Sequence, residues 1–190
     1  MHRHRIAAFL AGCLILGSGF MIFVATQNFG TVDRVLAAPP PEAAQIFQSL
    51  GPENARLLLR YLAGEENRFF FVSWELAQIA LGVLLTAILL FFTKSRLLAG
   101  LTGVMVIVAL FQHFQVTPRM IALGRLIDFG GGAGSVAYKQ FWRLHGLYGV
   151  LEVVKLVLLI IVAALLLFGR RGKSLEPVET PAVESSYAER

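Results

Sequence analysis

The chain has 190 residues, of which 56% belong to the hydrophobic set and only 15% are charged, with a mean hydropathy of +0.68. That composition excludes an ordinary soluble domain. The net charge of +5 could suit a nucleic-acid binder, but the basic residues flank apolar runs, where the positive-inside rule explains them, so no nucleic-acid partner is expected.

The first apolar run, Ile6 to about Ala25, is long enough to cross roughly 30 Å of hydrocarbon, which takes about 20 residues. His2-Arg3-His4-Arg5 in front of it looks like the start of a signal peptide. The run is too long for a typical signal core, and no small-residue cleavage site follows closely. Leu10-Ala11-Gly12-Cys13 matches a lipoprotein pattern, yet too few apolar residues precede it, so the expectation is a packed span with small-xxx-small faces, Ala8/Gly12 or Cys13/Gly17. Cys13 is the single cysteine, which leaves no intrachain disulfide.

Between Gln27 and Arg68 the chain changes character. Ala37-Ala38-Pro39-Pro40-Pro41 is stiff and extended. A short helix over Glu42–Leu50 is opened by Pro41 and broken by Gly51-Pro52. A second helix is expected from Pro52 to Ala63, stopped by Gly64. Its Leu58, Leu59 and Leu62, with Arg56 and Arg60 opposite, suit the membrane surface or a lid over the bundle.

The second span is expected over Phe69–Phe92 and the third over Leu97–Phe114. Phe129 to Ser135 is glycine-rich but lacks the strand, the helix and the registered lysine of a phosphate loop, so it reads as a flexible connector. The fourth span is expected over Phe141–Phe168, long enough to tilt or project. Arg68 with Trp74, and Trp142 with Arg143, read as interfacial anchors. Residues 1–173 thus form one all-α, polytopic four-helix membrane bundle, and residues 174–190 a polar, disordered cytoplasmic tail.

An even number of spans puts both ends on one side. The short flanks with Arg3 and Arg5, Lys94 and Arg96, and Arg170, Arg171 and Lys173 carry no acids, which favours cytoplasmic termini in an inner (cell) membrane.

Polar residues inside the spans carry the functional expectation, because each charge near the bilayer centre costs at least about 2.5–3.5 kcal/mol. His145, Tyr148, Glu152 and Lys155 lie on one helical stripe. Glu75 and Gln78 share a face of the second span, and Gln112 and His113 close the third. The depths sort into an upper layer of Gln112, His113, His145 and Tyr148, and a lower layer of Glu75, Gln78, Glu152 and Lys155. In the lower layer Glu152 pairs with Lys155 within one helix, and Glu75 either takes the other side of Lys155 or stays protonated. That layer is a lock between helices or a proton- or solute-binding site. In the upper layer two histidines on adjacent helices could ligate haem b or copper. No nucleophile–base pair and no HExxH is visible, so catalysis is not expected and no catalytic residue is assigned.

Thr117-Pro118-Arg119 after the third span and Phe141-x-x-Leu144-His145-Gly146 at the head of the fourth resemble an uncharacterised four-span membrane family, domain of unknown function 4149. That family is itself distantly similar to CopD-like copper-resistance membrane proteins. The resemblance implies a four-helix inner-membrane protein, strengthens the copper idea through His145, and adds no catalytic residue. The long first outer loop departs from that family.

These readings converge on a membrane protein that binds a small solute, ion or partner helix in an outward-facing polar pocket. Glu75 and Glu152 carry the charge, Lys155 the counter-charge, Gln78 supports them, and His145 and Tyr148 form the gate. Lys155→Met is expected to fold and to lose binding. The alternatives are haem or copper on His113 and His145, or a structural subunit whose stripe is buried against a membrane-protein partner or a second copy.

Overall fold

A computed structural model describes residues 2–129, 132 and 134–168. The expectation for the tail, 174–190, and part of that for the glycine-rich connector concern residues outside this set. The elements are α1 (His2–Ala37), α2 (Pro41–Leu50), α3 (Pro52–Ala87) running into a π turn (Ile88–Phe92), α4 (Arg96–Phe111) running into a second π turn (Gln112–Val116), α5 (Thr117–Asp128) and α6 (Val136–Phe168). Four continuous helical rods, His2–Ala37 included, are long and apolar enough to cross a membrane. They pack as a bundle with no strand among the described residues. This is the architecture of a multi-pass membrane protein.

One apolar core joins Ala7, Leu10 and Leu14 of α1, Leu85 and Leu89 at the end of the second rod, Leu98 and Ala99 at the start of α4, and Leu159, Val162 and Leu166 of α6. The beginnings of α1 and α4 therefore lie beside the ends of the second and fourth rods, which fixes an up-down-up-down order. Both ends of the bundle's chain, His2 and Phe168, sit at this terminal end. A smaller cluster of Val116, Met120 and Tyr148, flanked by Phe71 and Phe141, marks the opposite, loop end. Phe9, Leu16, Phe20 and Phe23 of α1 point outward, as lipid-facing side chains do.

Close approach between rods depends on small residues. The buried stripe of α1 is Ala7, Ala11, Leu14 and Ser18. Of the two expected small-residue faces, Gly12 faces open space, while at Gly17 the indole of Trp74 lies within 1.9 Å of where a Cβ would stand. Gly82 likewise admits Met105 and Val106 of α4 to 2.7 and 2.9 Å of a notional Cβ. Thr86 and Thr102 bridge the same crossing at 2.9 Å.

The rods are longer than the sequence suggested. The second spans 41 residues, about 60 Å at 1.5 Å per residue, so its first turns stand beyond the hydrocarbon. Gly64 does not stop it. That glycine is buried inside the helix against the Arg68 guanidinium, and the stretch from Pro52 is the start of the second rod rather than a separate helix. The third rod passes Phe114 through the π turn and continues as α5, because Pro118 falls in the first turn of a new helical segment, where its missing N–H costs nothing. Pro41 opens α2 and Gly51, at φ 78°, ends it, as the turn chemistry requires.

Candidate functional site

Helix α3 brings Glu75 and Gln78 to the bundle interior, three residues apart and both buried. Glu75 is fully enclosed. Its Oε1 accepts a short hydrogen bond of 2.5 Å from the Thr117 hydroxyl, and its Oε2 lies 3.0 Å from His113 Nδ1. Thr117 and His113 stand four residues apart across the π turn, which widens the helix there and aims both at one carboxylate. π turns concentrate at functional sites for this reason.

A second set lies alongside. Lys155, 2% exposed, donates to Glu152 Oε1 at 2.7 Å and to Gln78 Oε1 at 2.6 Å. The Gln78 amide donates in turn to Ser18 Oγ at 3.2 Å and Glu152 Oε2 at 3.4 Å. α1, α3 and α6 are thereby tied through one ammonium and one amide. The π turn joins through Gln112, whose amide donates to Glu152 Oε1 and to the Tyr148 carbonyl, each at 3.3 Å.

The stripe of His145, Tyr148, Glu152 and Lys155 thus serves two purposes. Glu152 and Lys155 pair as the spacing indicates. Glu75 does not take the other side of Lys155: Gln78 occupies that place and Glu75 turns to His113 and Thr117. The two layers expected from depth are therefore cross-linked. Tyr148 is buried, its ring edge-on to Phe71 with centroids 5.6 Å apart. Its hydroxyl has no hydrogen-bond partner among the described residues, although both Glu75 and Glu152 are within electrostatic reach. Gln112 Oε1 is buried and unpartnered in the same way.

Above this centre, at the loop end, a pocket of about 590 Å³ opens between α1, α3, α5 and α6. Thr117 stands where the pocket meets Glu75. Phe71, Met120 and Phe141 give it apolar walls, and Arg60, Asp128 and His145 give it polar ones. His145 stacks on Phe141 with centroids 5.8 Å apart and meets Trp142 edge-on at 5.2 Å. The two histidines thus have different surroundings: His113 is committed to Glu75, and His145 belongs to the pocket wall. Among the described residues no three His, Cys, Asp or Glu side chains are grouped to hold a metal.

The anchors read from sequence also have more specific work. Arg68 bridges Glu65 at 2.7 Å and Asp128 at 2.6 Å, and Arg125 meets Glu65 at 3.0 Å, clamping α3 to α5 beside the pocket. Asn28 donates to Asn67 at 2.7 Å and Asn67 to the Ala25 carbonyl at 3.2 Å, joining α1 to α3. Thr117, Ser18 and Asn67 were not singled out as site residues by their spacing. Only Thr117 carried a signal, as the residue before a proline in a helix that needs a hydroxyl to satisfy freed backbone or buried neighbours. Comparisons with protein-family models, with curated proteins and with solved structures each found no match to this chain.

Proposed function

We propose that this chain is a non-enzymatic, multi-pass inner-membrane protein with both termini cytoplasmic, and that it binds a small solute in the pocket at its loop end. The observation that carries this reading is the junction at Thr117. One side of that residue lines a pocket of about 590 Å³, and its hydroxyl holds a carboxylate that is fully buried. A buried intramembrane carboxylate is expensive, and a pocket of this size falls within the range that holds small ligands. The basic, acid-free flanks at the terminal end support the orientation. Kinship with the four-span family named above rests on Thr117-Pro118-Arg119 and on His145, and both Thr117 and His145 line this pocket.

Retention of a solute tests the reading. The protein is extracted in mild detergent, washed and denatured, and released small molecules are compared by mass spectrometry with those from Gly124→Leu. Gly124 lines the pocket, and a Cβ there already meets Arg68 at 3.0 Å and Phe141 at 3.4 Å. A compound held by the wild type and lost from a folded Gly124→Leu supports binding. Identical profiles from both proteins would sink it.

A structural role is favoured for one half of the polar residues. Lys155, Glu152, Gln78 and Ser18 satisfy one another, with Gln112 joining at Glu152, which suits a lock between helices. Glu75, His113 and Tyr148 do not line the pocket, and Glu75 meets it through Thr117.

A further inference from the structure

We infer that Glu75 and His113 together hold one exchangeable proton, making the base of the pocket a proton-binding site. Charge is the first reason. Glu75, Glu152, Lys155 and His113 form two neighbouring pairs, Glu75 with His113 and Glu152 with Lys155, with Glu75 close enough to act electrostatically on Lys155. Two carboxylates against one ammonium leave one negative charge, and an uncompensated buried charge costs several kcal/mol. One proton on the Glu75–His113 pair, 3.0 Å apart, makes the four groups together neutral. The proton resides on the imidazole or on the carboxyl, and the sum is zero in both cases.

Exchange is the second reason. Thr117 donates to Glu75 and borders the pocket, so its hydroxyl can pass a proton between the carboxyl and pocket water. On release the proton leaves as hydrated H⁺ and the four groups keep one negative charge. On the inner side the Tyr148 hydroxyl is buried, unpartnered among the described residues and within electrostatic reach of both Glu75 and Glu152. It is well placed to donate to whichever carboxylate is charged.

Charge reaches the pair from α6. From α6, Tyr148, Glu152 and Lys155 face it, and His145 stands higher, on Phe141. Of the charged residues of α5, Arg119 reaches Gln115, Arg125 reaches Glu65 and Asp128 reaches Arg68. Arg96, the single charge of α4, is at the other end of that helix. The charges of α1 lie near its two ends, and Ser18 is its link to Gln78.

The test needs no solute, so an empty pocket in the retention experiment leaves it standing and a filled pocket does not prove it. Infrared difference spectra between acid and alkaline buffer are recorded for the protein in lipid nanodiscs. The expected result in the wild type is a protonated-carboxyl band, or imidazolium bands where the proton sits on His113, that is lost in Glu75→Gln and kept in Glu65→Gln. His113→Gln should move its midpoint by about one pH unit or more, a tenfold change in proton affinity. Where Glu75→Gln fails to fold, ¹⁵N-histidine resonance of the wild type decides, with His145→Gln used for assignment. A carboxyl band unchanged in Glu75→Gln, or a His113 resonance and carboxyl region that do not move with pH, overturns the inference.

Discussion

At the residue scale, partnership rather than hydrophobicity decides what each polar side chain is for. Glu75 has no exposure and depends on His113 and Thr117. Removing one member of a buried pair leaves the other uncompensated, at about 3–5 kcal/mol. His113→Phe is therefore expected to lose about 3 kcal/mol in reversible unfolding from mixed micelles. The double variant His113→Phe with Glu75→Leu should recover most of that loss, and additive losses would show that the pair is not coupled. Gly17 is a packing counterpart to this polar case. With the Trp74 ring 1.9 Å from a notional Cβ, Gly17→Ala must displace the indole. We expect a cost of about 1–3 kcal/mol, as overpacking gives, with a shifted tryptophan emission; an unchanged spectrum and stability would contradict the contact. Glu75, Gln78, Tyr148, Glu152 and Lys155 were legible from sequence because charge in an apolar run is conspicuous. The Glu152–Lys155 pair was legible as well, from its spacing; the partners across helices were not, since helical spacing gives the face of a residue and not the side chain across from it.

At the element scale, the π turn Gln112–Val116 positions the site. It inserts backbone into the third rod so that His113 and Thr117 converge on Glu75. Phe114, inside the turn, is exposed, so its deletion removes no buried side chain. Such a deletion closes the π turn into a regular α ladder and puts His113 and Thr117 three residues apart instead of four. We expect the shortened protein to remain helical by circular dichroism while the pH-dependent resonance of His113 is lost. A deletion variant that retains it would remove the role of the turn. This turn leaves no mark in the residue pattern: Pro118 marks a helix boundary, and whether the chain leaves the helix there or resumes it after a wider turn depends on tertiary partners. The same limit explains Gly64 and the early stop expected at Phe114. Breaker residues state a local cost, and packing against Arg68, α1 and α6 overrides it.

At the scale of the whole molecule, the four-span bundle was readable from hydropathy and length alone. What needed coordinates was the division of one polar stripe into a lock and a site. Lys155 ties α6 to α3 and, through Gln78, to α1. Lys155→Met is thus expected to cost about 3 kcal/mol by leaving Glu152 without its ammonium, rather than to fold unharmed as the stripe alone suggested. Glu152→Gln in the same chain should restore part of the loss, and a Lys155→Met protein as stable as wild type would refute the lock. The central claim is a pocket that opens on the non-cytoplasmic side and reaches down to Thr117, whose hydroxyl holds Glu75. Its most direct measurement is labelling of Met120→Cys in a Cys13→Ser background, because Met120 lines the pocket beside Thr117. In intact cells a small membrane-impermeant thiol reagent should modify this cysteine, and Gly124→Leu should slow the reaction at least tenfold. Labelling only after the cells are permeabilised, or labelling indifferent to Gly124→Leu, would contradict the claim.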